Sequence, residues 1–185
     1  MKKKNYYTIN NICICAGGLL FYDDNGIWVL REEKPFEKSF IDPGGKYQFE
    51  DTNINACIIR EFHEETYYSY TELIHYSLFE ELISKGLTEE VLFQSKNGWW
   101  YKCILIHTKH IFKNKSRDES NTFDNKKFFI NRLNAIKHNQ MYNFYISVEF
   151  LLLKYTDINN NWINFSERLK TILINSKINS SHEFK

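Results

Sequence analysis

The most constraining feature of the sequence is the segment 44–66, in which two glycines precede a helix with apolar and acidic side chains on the same side. Side chains three and four positions apart share a helix face. At roughly 100° per residue, six side chains therefore fall within an arc of about 120°. They are Ile54, Cys57 and Ile58, followed by Glu61, Glu64 and Glu65. A stripe that begins as a core-facing surface thus becomes acidic towards its end.

The acidic end of this stripe is unfavourable by itself, because like charges three and four positions apart on a helix repel. The adjacent cationic residue is Arg60. An acidic run is most often a solvated helix face, and this interpretation stays open. It would, however, require the helix to change its buried side partway along. Inward-facing carboxylates need a counter-charge, and hard divalent cations prefer oxygen ligands. The pattern therefore favours a Mg²⁺ or Mn²⁺ site formed by Glu61, Glu64 and Glu65.

Together with its flanking residues, this segment resembles the Nudix box, here from Gly45 to Tyr67. Gly45 matches the first glycine of that pattern, and Asp51 matches its first acidic residue. Residues 60–65, Arg-Glu-Phe-His-Glu-Glu, match the central run without a gap. Residues 42–46, Asp-Pro-Gly-Gly-Lys, are similar to the loop that precedes the box in the family.

Three departures from the pattern stand beside the resemblance. The first acidic residue is Asp51 rather than Glu, and the linker from Asp51 to Arg60 is one residue longer than the commonest form. That combination is similar to the variant found in coenzyme A diphosphatases. Tyr67 replaces the last glycine, which would supply a left-handed helix stop. We therefore expect the chain to leave the helix differently at Tyr67.

The resemblance implies a Nudix-like α/β/α sandwich with a mixed sheet, in the α/β class. It also implies a Mg²⁺- or Mn²⁺-dependent hydrolase that cleaves the phosphoanhydride of a nucleoside diphosphate linked to another moiety. Metal ions held by Glu61, Glu64 and Glu65 would neutralise the diphosphate and lower the pKa of bound water. In the family, the arginine that matches Arg60 pairs with a box glutamate and orients it. Asp51 is expected to have a structural role.

The substrate side is assigned to Gly44, Gly45 and Lys46. The backbone N–H groups of the two glycines could keep the turn before the helix open to the substrate. Lys46 would contact a phosphate, although a solvated lysine is an equally good interpretation.

The general base has three candidates. Glu65 is the candidate within the box, whereas Glu119 and Asp124 lie in a later loop. Acidic residues of loops are ordinarily solvated, so that interpretation stays open for the last two.

The substrate itself is not identified by the sequence. The motifs that mark the coenzyme A and NADH hydrolases of the family are not found. Residues 99–101, Trp-Trp-Tyr, would either stack on a nucleobase or lie in the core. Four basic residues form either a solvated loop or a contact to capped RNA: Lys109, Lys113, Lys115 and Arg117. A non-catalytic Nudix-homology module that senses a nucleotide or binds a partner is the alternative function; the intact glutamate triplet with Arg60 favours the enzyme.

Composition bounds the remaining possibilities. A chain of 185 residues is expected to form one domain, spanning 1–185, and a net charge of +1 gives no general attraction to nucleic acid or anionic membrane. The four cysteines, without a Cys-x-x-Cys pair, predict buried free thiols in a reducing, cytoplasmic compartment.

Residues 1–22 imitate a signal peptide, but polar residues interrupt them and a strand is expected. No segment has the ~20 apolar residues that span a bilayer, so no membrane association is expected.

The pattern of apolar residues and turn signals predicts alternating strands and helices. Strands are expected at 11–22, 27–31, 39–42, 72–80, 98–107 and 127–130, with a helix over 71–84 as the alternative to the fourth. A type I′ turn is expected at 23–26, and loops at 32–40 and 109–125. The box helix is expected at 53–66, a helical turn at 87–93, and C-terminal helices at 132–137, 141–156 and 162–177.

Overall fold

A nine-stranded mixed sheet organises the computed structural model, which describes residues 6–34, 37–112, 123–137, 140–182 and 184. The strands are β1 (Tyr7–Ile9), β2 (Ile12–Tyr22), β3 (Gly26–Lys34), β4 (Glu37–Ile41), β5 (Gly44–Lys46), β6 (Thr88–Gln94), β7 (Trp100–His107), β8 (Lys126–Lys137) and β9 (Gln140–Lys154). The described α-helices are α1 (Ile54–Glu65), α2 (Tyr76–Ser84), α3 (Tyr155–Asn161), α4 (Glu167–Asn175) and α5 (Lys177–His182).

The strands follow the order β6-β7-β2-β3-β9-β8. β2 and β7 are parallel, and the other ladders are antiparallel. β2 and β3 pair only at their hairpin ends, where Phe21 lies opposite Trp28 and Tyr22 opposite Ile27. Further along, β2 pairs with β5 instead, whereas β3 pairs with β4. The short connection from β4 to β5 therefore joins the two halves of the sheet.

Helices cover both faces of this sheet, which confirms the predicted α/β/α sandwich. On one face, α1 and α2 bury side chains such as Phe62 and Phe79 against β2, β3, β7 and β9. On the other face, Ile158 of α3, Leu169 of α4 and Ile178 of α5 join a second core cluster. Among the described helices, none combines the length and apolar character needed to cross a bilayer.

The box helix α1 forms where its periodicity predicts. Asn53 is its N-cap, and the Asn53 Oδ1 atom accepts a hydrogen bond of 2.9 Å from the Ala56 N–H. Ile54, Cys57 and Ile58 are buried, as the apolar part of the stripe requires. In the acidic part of the stripe, Glu61 and Glu65 are half-buried, whereas Glu64 is exposed.

Helix α1 ends in a Schellman motif. The Tyr68 N–H donates to the His63 carbonyl oxygen at 2.7 Å, and the Tyr67 N–H donates to that of Glu64 at 3.2 Å. Tyr67 has a φ of 52°, in the left-handed region that favours glycine. The expectation that Tyr67 leaves the helix differently is therefore wrong, because this tyrosine adopts the conformation that the family's glycine would supply.

The left-handed tyrosine gives a first prediction. Tyr67→Gly is expected to raise the free energy of unfolding by about 0.5–1 kcal/mol, since relief of the left-handed penalty of about 1–2 kcal/mol exceeds the extra entropy of an unfolded glycine. Urea denaturation measures the change. Tyr67→Ala is the control, because it removes the ring but keeps the strained backbone. A gain in both variants would assign the effect to the ring instead.

Turn chemistry differs from the sequence prediction in the β2–β3 hairpin. Neither Asn25 nor Gly26 has a positive φ, so the predicted type I′ turn is wrong. The Asp23 Oδ1 atom instead accepts hydrogen bonds from the N–H groups of Asn25 (2.8 Å) and Gly26 (3.1 Å). Asn10 and Asn11, between β1 and β2, have φ values of 47° and 66°. The two-residue turn with both φ values positive thus lies at the preceding hairpin.

The middle of the chain needs three further corrections. The strand predicted at 72–80 is wrong, and the alternative helix forms as α2. The helical turn predicted at 87–93 is strand β6, paired with β7 along its whole length. The loop predicted at 32–40 instead contains the end of β3 and most of β4.

The largest difference lies in the C-terminal half. The helices predicted at 132–137 and 141–156 are wrong, because 126–137 and 140–154 form the antiparallel strands β8 and β9. The last predicted strand, at 127–130, is only the beginning of β8. Helical structure returns at 155–161 and in the region predicted at 162–177, as a 3₁₀ turn at 162–164 followed by α4 and α5.

Candidate functional site

Arg60 is the centre of a polar network at the end of α1. Its Nε and Nη2 atoms donate to the Asp51 Oδ1 and Oδ2 atoms at 2.8 and 2.9 Å. Asp51 is buried, and its Oδ2 atom also accepts from the Gln48 N–H at 2.7 Å. This forked pairing fixes the plane of the guanidinium group.

The other donors of Arg60 reach towards the acidic stripe and β5. The Nη1 atom donates to Glu61 Oε1 at 2.8 Å and to Glu64 Oε2 at 3.0 Å. The Nη2 atom donates to the Lys46 carbonyl oxygen at 3.0 Å. One arginine therefore orients two of the three glutamates and ties α1 to the strand that carries the paired glycines.

The remaining glutamate contacts the same strand directly. The Gly44 N–H donates to Glu65 Oε2 at 2.7 Å. The Glu61 carboxylate lies against Gly45, and a Cβ atom built at Gly45 would overlap that carboxylate. The amide of Gly44, which the sequence assigned to the substrate side, is thus engaged by Glu65. The glycines lie in strand β5 rather than in a loop.

The pKa values of these carboxyls are shifted in opposite directions. Burial raises the pKa of Glu65 to about 8, although the Gly44 N–H and the charge of Arg168 act the other way. Burial also raises the pKa of Glu61 against the hydrogen bond from Arg60. For Asp51, burial would raise the pKa, but hydrogen bonds from Arg60 and Gln48 lower it overall. Asp51 is therefore well compensated, whereas Glu61 and Glu65 are not.

A second buried network lies next to β5. Asp42 has no exposed surface. Its Oδ1 atom accepts from Arg168 Nε at 2.7 Å, and its Oδ2 atom accepts from the Tyr101 hydroxyl at 2.5 Å. The Arg168 Nη2 atom donates to the Asp42 carbonyl oxygen at 2.9 Å. The arginine comes from α4, so this network joins the C-terminal helices to the strand that contacts Glu65.

Lys46, predicted to contact the substrate, and the two candidate bases outside the box are exposed or lie outside the described residues. Lys46 is exposed at the end of β5. Asp124 is also exposed, and its carbonyl oxygen accepts from the Tyr70 hydroxyl at 2.8 Å. Glu119 lies outside the described residues.

The aromatic run, the basic stretch and the cysteines singled out in the sequence are each only partly placed as predicted. Tyr101 is buried and Trp99 is exposed, so the aromatic run is only partly core. Of the basic stretch, Lys109 is exposed, and the other three residues lie outside the described ranges. The prediction of buried thiols is correct for Cys57 and Cys103 but wrong for Cys13, which is exposed on the strand β2.

The glutamate triplet fits a divalent cation in its chemistry. Its candidate ligands are hard carboxylate oxygens, which Mg²⁺ and Mn²⁺ prefer. In the part of the chain that the structure describes, no three His, Cys, Asp or Glu side chains converge closely enough to hold a metal ion. Arg60 engages Glu61 and Glu64, so cation binding requires Glu64 to rotate away from the guanidinium group.

Three residues of this region were not assigned to the site from the sequence: Asp42, Tyr101 and Arg168. Only Arg168 gives a local signal that could have been used. It lies one residue before Leu169 and four before Ile172, both fully buried. A charged residue at the border of an apolar helical stripe indicates a buried partner. The spacing of residues does not show which residue that partner is.

No protein-family model matches the chain, and no curated protein gives a significant match. Function is therefore inferred from the geometry around Arg60 and from the resemblance of residues 45–67 to the Nudix box.

Proposed function

We propose that the chain is a Mg²⁺- or Mn²⁺-dependent hydrolase that cleaves the phosphoanhydride of a nucleoside diphosphate linked to another moiety. The observation that supports this most is the arrangement of α1 against β5. Glu61 and Glu65 both contact the Gly44–Gly45 segment, while Arg60 is locked by Asp51. A helix end that gathers carboxylates in this way offers the hard oxygen ligands that a divalent cation carrying a diphosphate would need.

Each residue of the network has a role in this proposal. Glu61, Glu64 and Glu65 are the metal ligands, and a bound divalent cation would neutralise the diphosphate and acidify a water molecule. Arg60 orients Glu61 and holds α1 against β5. Gly45 allows the Glu61 carboxylate to approach the strand. Gly44 holds one oxygen of Glu65 through its N–H, which leaves the other oxygen for the role of metal ligand or of general base.

Glu65 is favoured as the general base over Asp124. Glu65 lies within the box, where the Gly44 N–H holds one of its carboxylate oxygens at 2.7 Å. Asp124 is exposed. Lys46, at the exposed end of β5, is the cation available to contact an outer phosphate.

A substrate panel tests the proposal. Purified protein is incubated with Mg²⁺ or Mn²⁺ and with nucleoside triphosphates, ADP-ribose, dinucleoside polyphosphates, coenzyme A, inositol pyrophosphates and capped RNA. Release of phosphate-containing products is followed by chromatography. Turnover of one class that requires the metal is the expected result, since the reaction needs both the cation and the carboxylates.

Glu64→Gln provides the variant that links activity to the triplet. It is expected to lower kcat/KM by at least about 100-fold, because loss of even an outer-shell partner of a metal site costs about 10–100-fold. Glu81→Gln in α2 is the matched control. Glu64 and Glu81 have side chains 42% and 52% exposed, and each pairs with a cation four residues away. Equal activity in Glu64→Gln and wild type would contradict the metal assignment.

One observation favours the alternative of a non-catalytic module. Arg60 already neutralises Glu61 and Glu64 by hydrogen bonds, so the triplet is not free for a cation without rearrangement. A module that senses a nucleotide or binds a partner would use the same surface without turnover. Tight binding of one member of the panel, with no product formed at any metal concentration, would favour this function over the hydrolase.

A further inference from the structure

The network of Asp42, Tyr101 and Arg168, here called the Asp42 clamp, joins the segment before β5 to β7 and α4. All three oxygen atoms of Asp42 accept hydrogen bonds from the other two residues. A fully buried carboxylate is costly unless it is paired and hydrogen-bonded. The three hydrogen bonds therefore hold both the side chain and the backbone of Asp42 in one position.

The clamp lies next to the Gly44 amide in the sequence and in space. Gly44 follows Asp42 by two residues, and the intervening Pro43 carbonyl oxygen accepts from the Leu19 N–H at 2.9 Å. A Cβ atom built at Gly44 would overlap the Tyr101 hydroxyl, so that hydroxyl also lies directly against Gly44. The peptide that donates to Glu65 is thus fixed from both sides.

Arg168 lies in the first turn of α4, which is anchored at its start. Its guanidinium group lies 4.9 Å from the centre of the Tyr101 ring. The next residue, Leu169, is fully buried, and the Ser166 side chain caps α4 by accepting from the Leu169 N–H at 3.1 Å. The Ser166 N–H also donates to the Phe40 carbonyl oxygen at 2.9 Å, which ties the start of α4 to β4.

We infer that Arg168 is a positioning residue of the hydrolase site, acting through Asp42 and the Gly44 N–H to hold the Glu65 carboxylate. The inference rests on the proposed function for its catalytic consequence, but the positioning itself is measurable without activity. Of the described residues, no lysine, arginine or histidine lies within ion-pair distance of Glu65. Arg168 is connected to that carboxylate through its hydrogen bonds to Asp42 and through the Gly44 N–H.

The contact requires arginine rather than a generic cation. The Nε and Nη2 atoms donate to two different oxygens of Asp42, one in the side chain and one in the backbone. A planar guanidinium group presents these donors in a fixed fork, whereas a lysine ammonium is a point charge on a flexible chain. Arg168→Lys therefore keeps the charge and loses the rigid double contact.

The first measurement is amide hydrogen exchange at Gly44, followed by NMR in the full chain. Arg168→Lys is expected to accelerate this exchange by about fivefold or more, as expected for loss of one hydrogen bond's contribution. Arg31→Lys is the matched control. Arg31 and Arg168 have side chains equally exposed, at 30%, and each pairs with a carboxylate, of Glu149 and Asp42 respectively. The control should leave Gly44 exchange unchanged.

The second measurement is Mn²⁺ affinity, by electron paramagnetic resonance of the free ion, together with steady-state kinetics. Arg168→Lys is expected to weaken Mn²⁺ binding and to lower kcat, each by about tenfold, with KM within about twofold of wild type. Arg31→Lys should change neither value. A role of Arg168 in stability alone would lower the melting temperature of Arg168→Lys and leave the kcat of the folded variant intact.

The outcomes separate the positioning inference from the proposed function. Unchanged Gly44 exchange in folded Arg168→Lys would overturn the inference, whatever the activity. Faster exchange without Mn²⁺ binding or turnover in wild type would support positioning and contradict the hydrolase. If Arg168→Lys does not fold, Tyr101→Phe tests the same clamp by removing one hydrogen bond to Asp42. It should also accelerate Gly44 exchange, and normal exchange in that variant would overturn the inference.

Discussion

Arg60→Met is expected to lower the free energy of unfolding by about 3–5 kcal/mol, which is typical for removing one partner of a buried ion pair. Asp51 is the reason, because its side chain is only 3% exposed and both of its oxygens depend on Arg60. Methionine fills a similar volume but leaves a buried carboxylate without its cation. Urea denaturation followed by circular dichroism measures the change.

The double variant Arg60→Met/Asp51→Asn is the control for this assignment. Because the charge of Asp51 is removed together with its partner, the double variant should be more stable than Arg60→Met alone. A double-mutant cycle then gives the coupling between the two side chains. A loss below about 1 kcal/mol in Arg60→Met, which is typical of exposed pairs, would show that the pair stabilises the fold no more than a surface contact.

The dependence on pH distinguishes charge from packing. Hydrogen bonds from Arg60 and Gln48 outweigh burial and lower the pKa of Asp51. A carboxyl with a lowered pKa stabilises the folded chain above its unfolded pKa of about 3.9, and this stabilisation is lost as the pH falls through the folded value. The difference between wild type and Arg60→Met should therefore be largest at high pH and shrink as the pH falls, first as the uncompensated Asp51 protonates in the variant and then, below about pH 4, as Asp51 protonates in wild type. A difference independent of pH would indicate lost packing instead.

The sequence predicts α1 well because the information for this helix is local. Asn53 caps the helix, an apolar stripe follows at spacings of three and four, and the polar network of Arg60 reaches no further than the segment from Lys46 to Glu64. Contacts within such a short stretch follow from helical periodicity and from the box pattern. The contact between Gly44 and Glu65 was not foreseen, since it depends on β5 being a strand that packs against α1.

Strand β9 shows why the C-terminal half was predicted wrongly. Phe150 faces the core beneath α1, whereas Leu151 and Leu153 face the core beneath α4. A strand buried on both faces is apolar at consecutive positions, and local periodicity cannot distinguish it from a buried helix. The decisive interaction is the pairing of β9 with β3, more than a hundred residues away, from Gly26 opposite Lys154 to Glu33 opposite Ser147.

The same limit applies to Arg168. It is separated from Asp42 by 126 residues, and no spacing rule connects α4 to the segment before the paired glycines. The glycines themselves could be recognised from the sequence, but not the reason for each of them. That reason is steric and differs between Gly44 and Gly45.

Gly44→Ala is expected to destabilise the fold by about 3 kcal/mol or more, at the upper end of the cost of overpacking. A Cβ atom there would lie 2.6 Å from Gly18 Cα and 2.7 Å from the Gly17 carbonyl oxygen, and would overlap the Tyr101 hydroxyl. Two of these neighbours are backbone atoms of the paired strand β2, so neither can move without breaking the ladder. Thermal and urea denaturation measure the loss.

Gly45→Ala is the informative comparison, because its new Cβ atom would meet the end of the Glu61 side chain rather than backbone. Glu61 can rotate away, so this variant should lose less stability than Gly44→Ala but bind Mn²⁺ about 10–100-fold more weakly if Glu61 is a ligand. Gly86→Ala controls for backbone strain alone, since Gly86 has a φ of 64° and open space around it; it should cost about 1–2 kcal/mol. Equal losses of stability at positions 44, 45 and 86 would mean that the packing of β5 against β2 and α1 is not the reason why glycine is needed at positions 44 and 45.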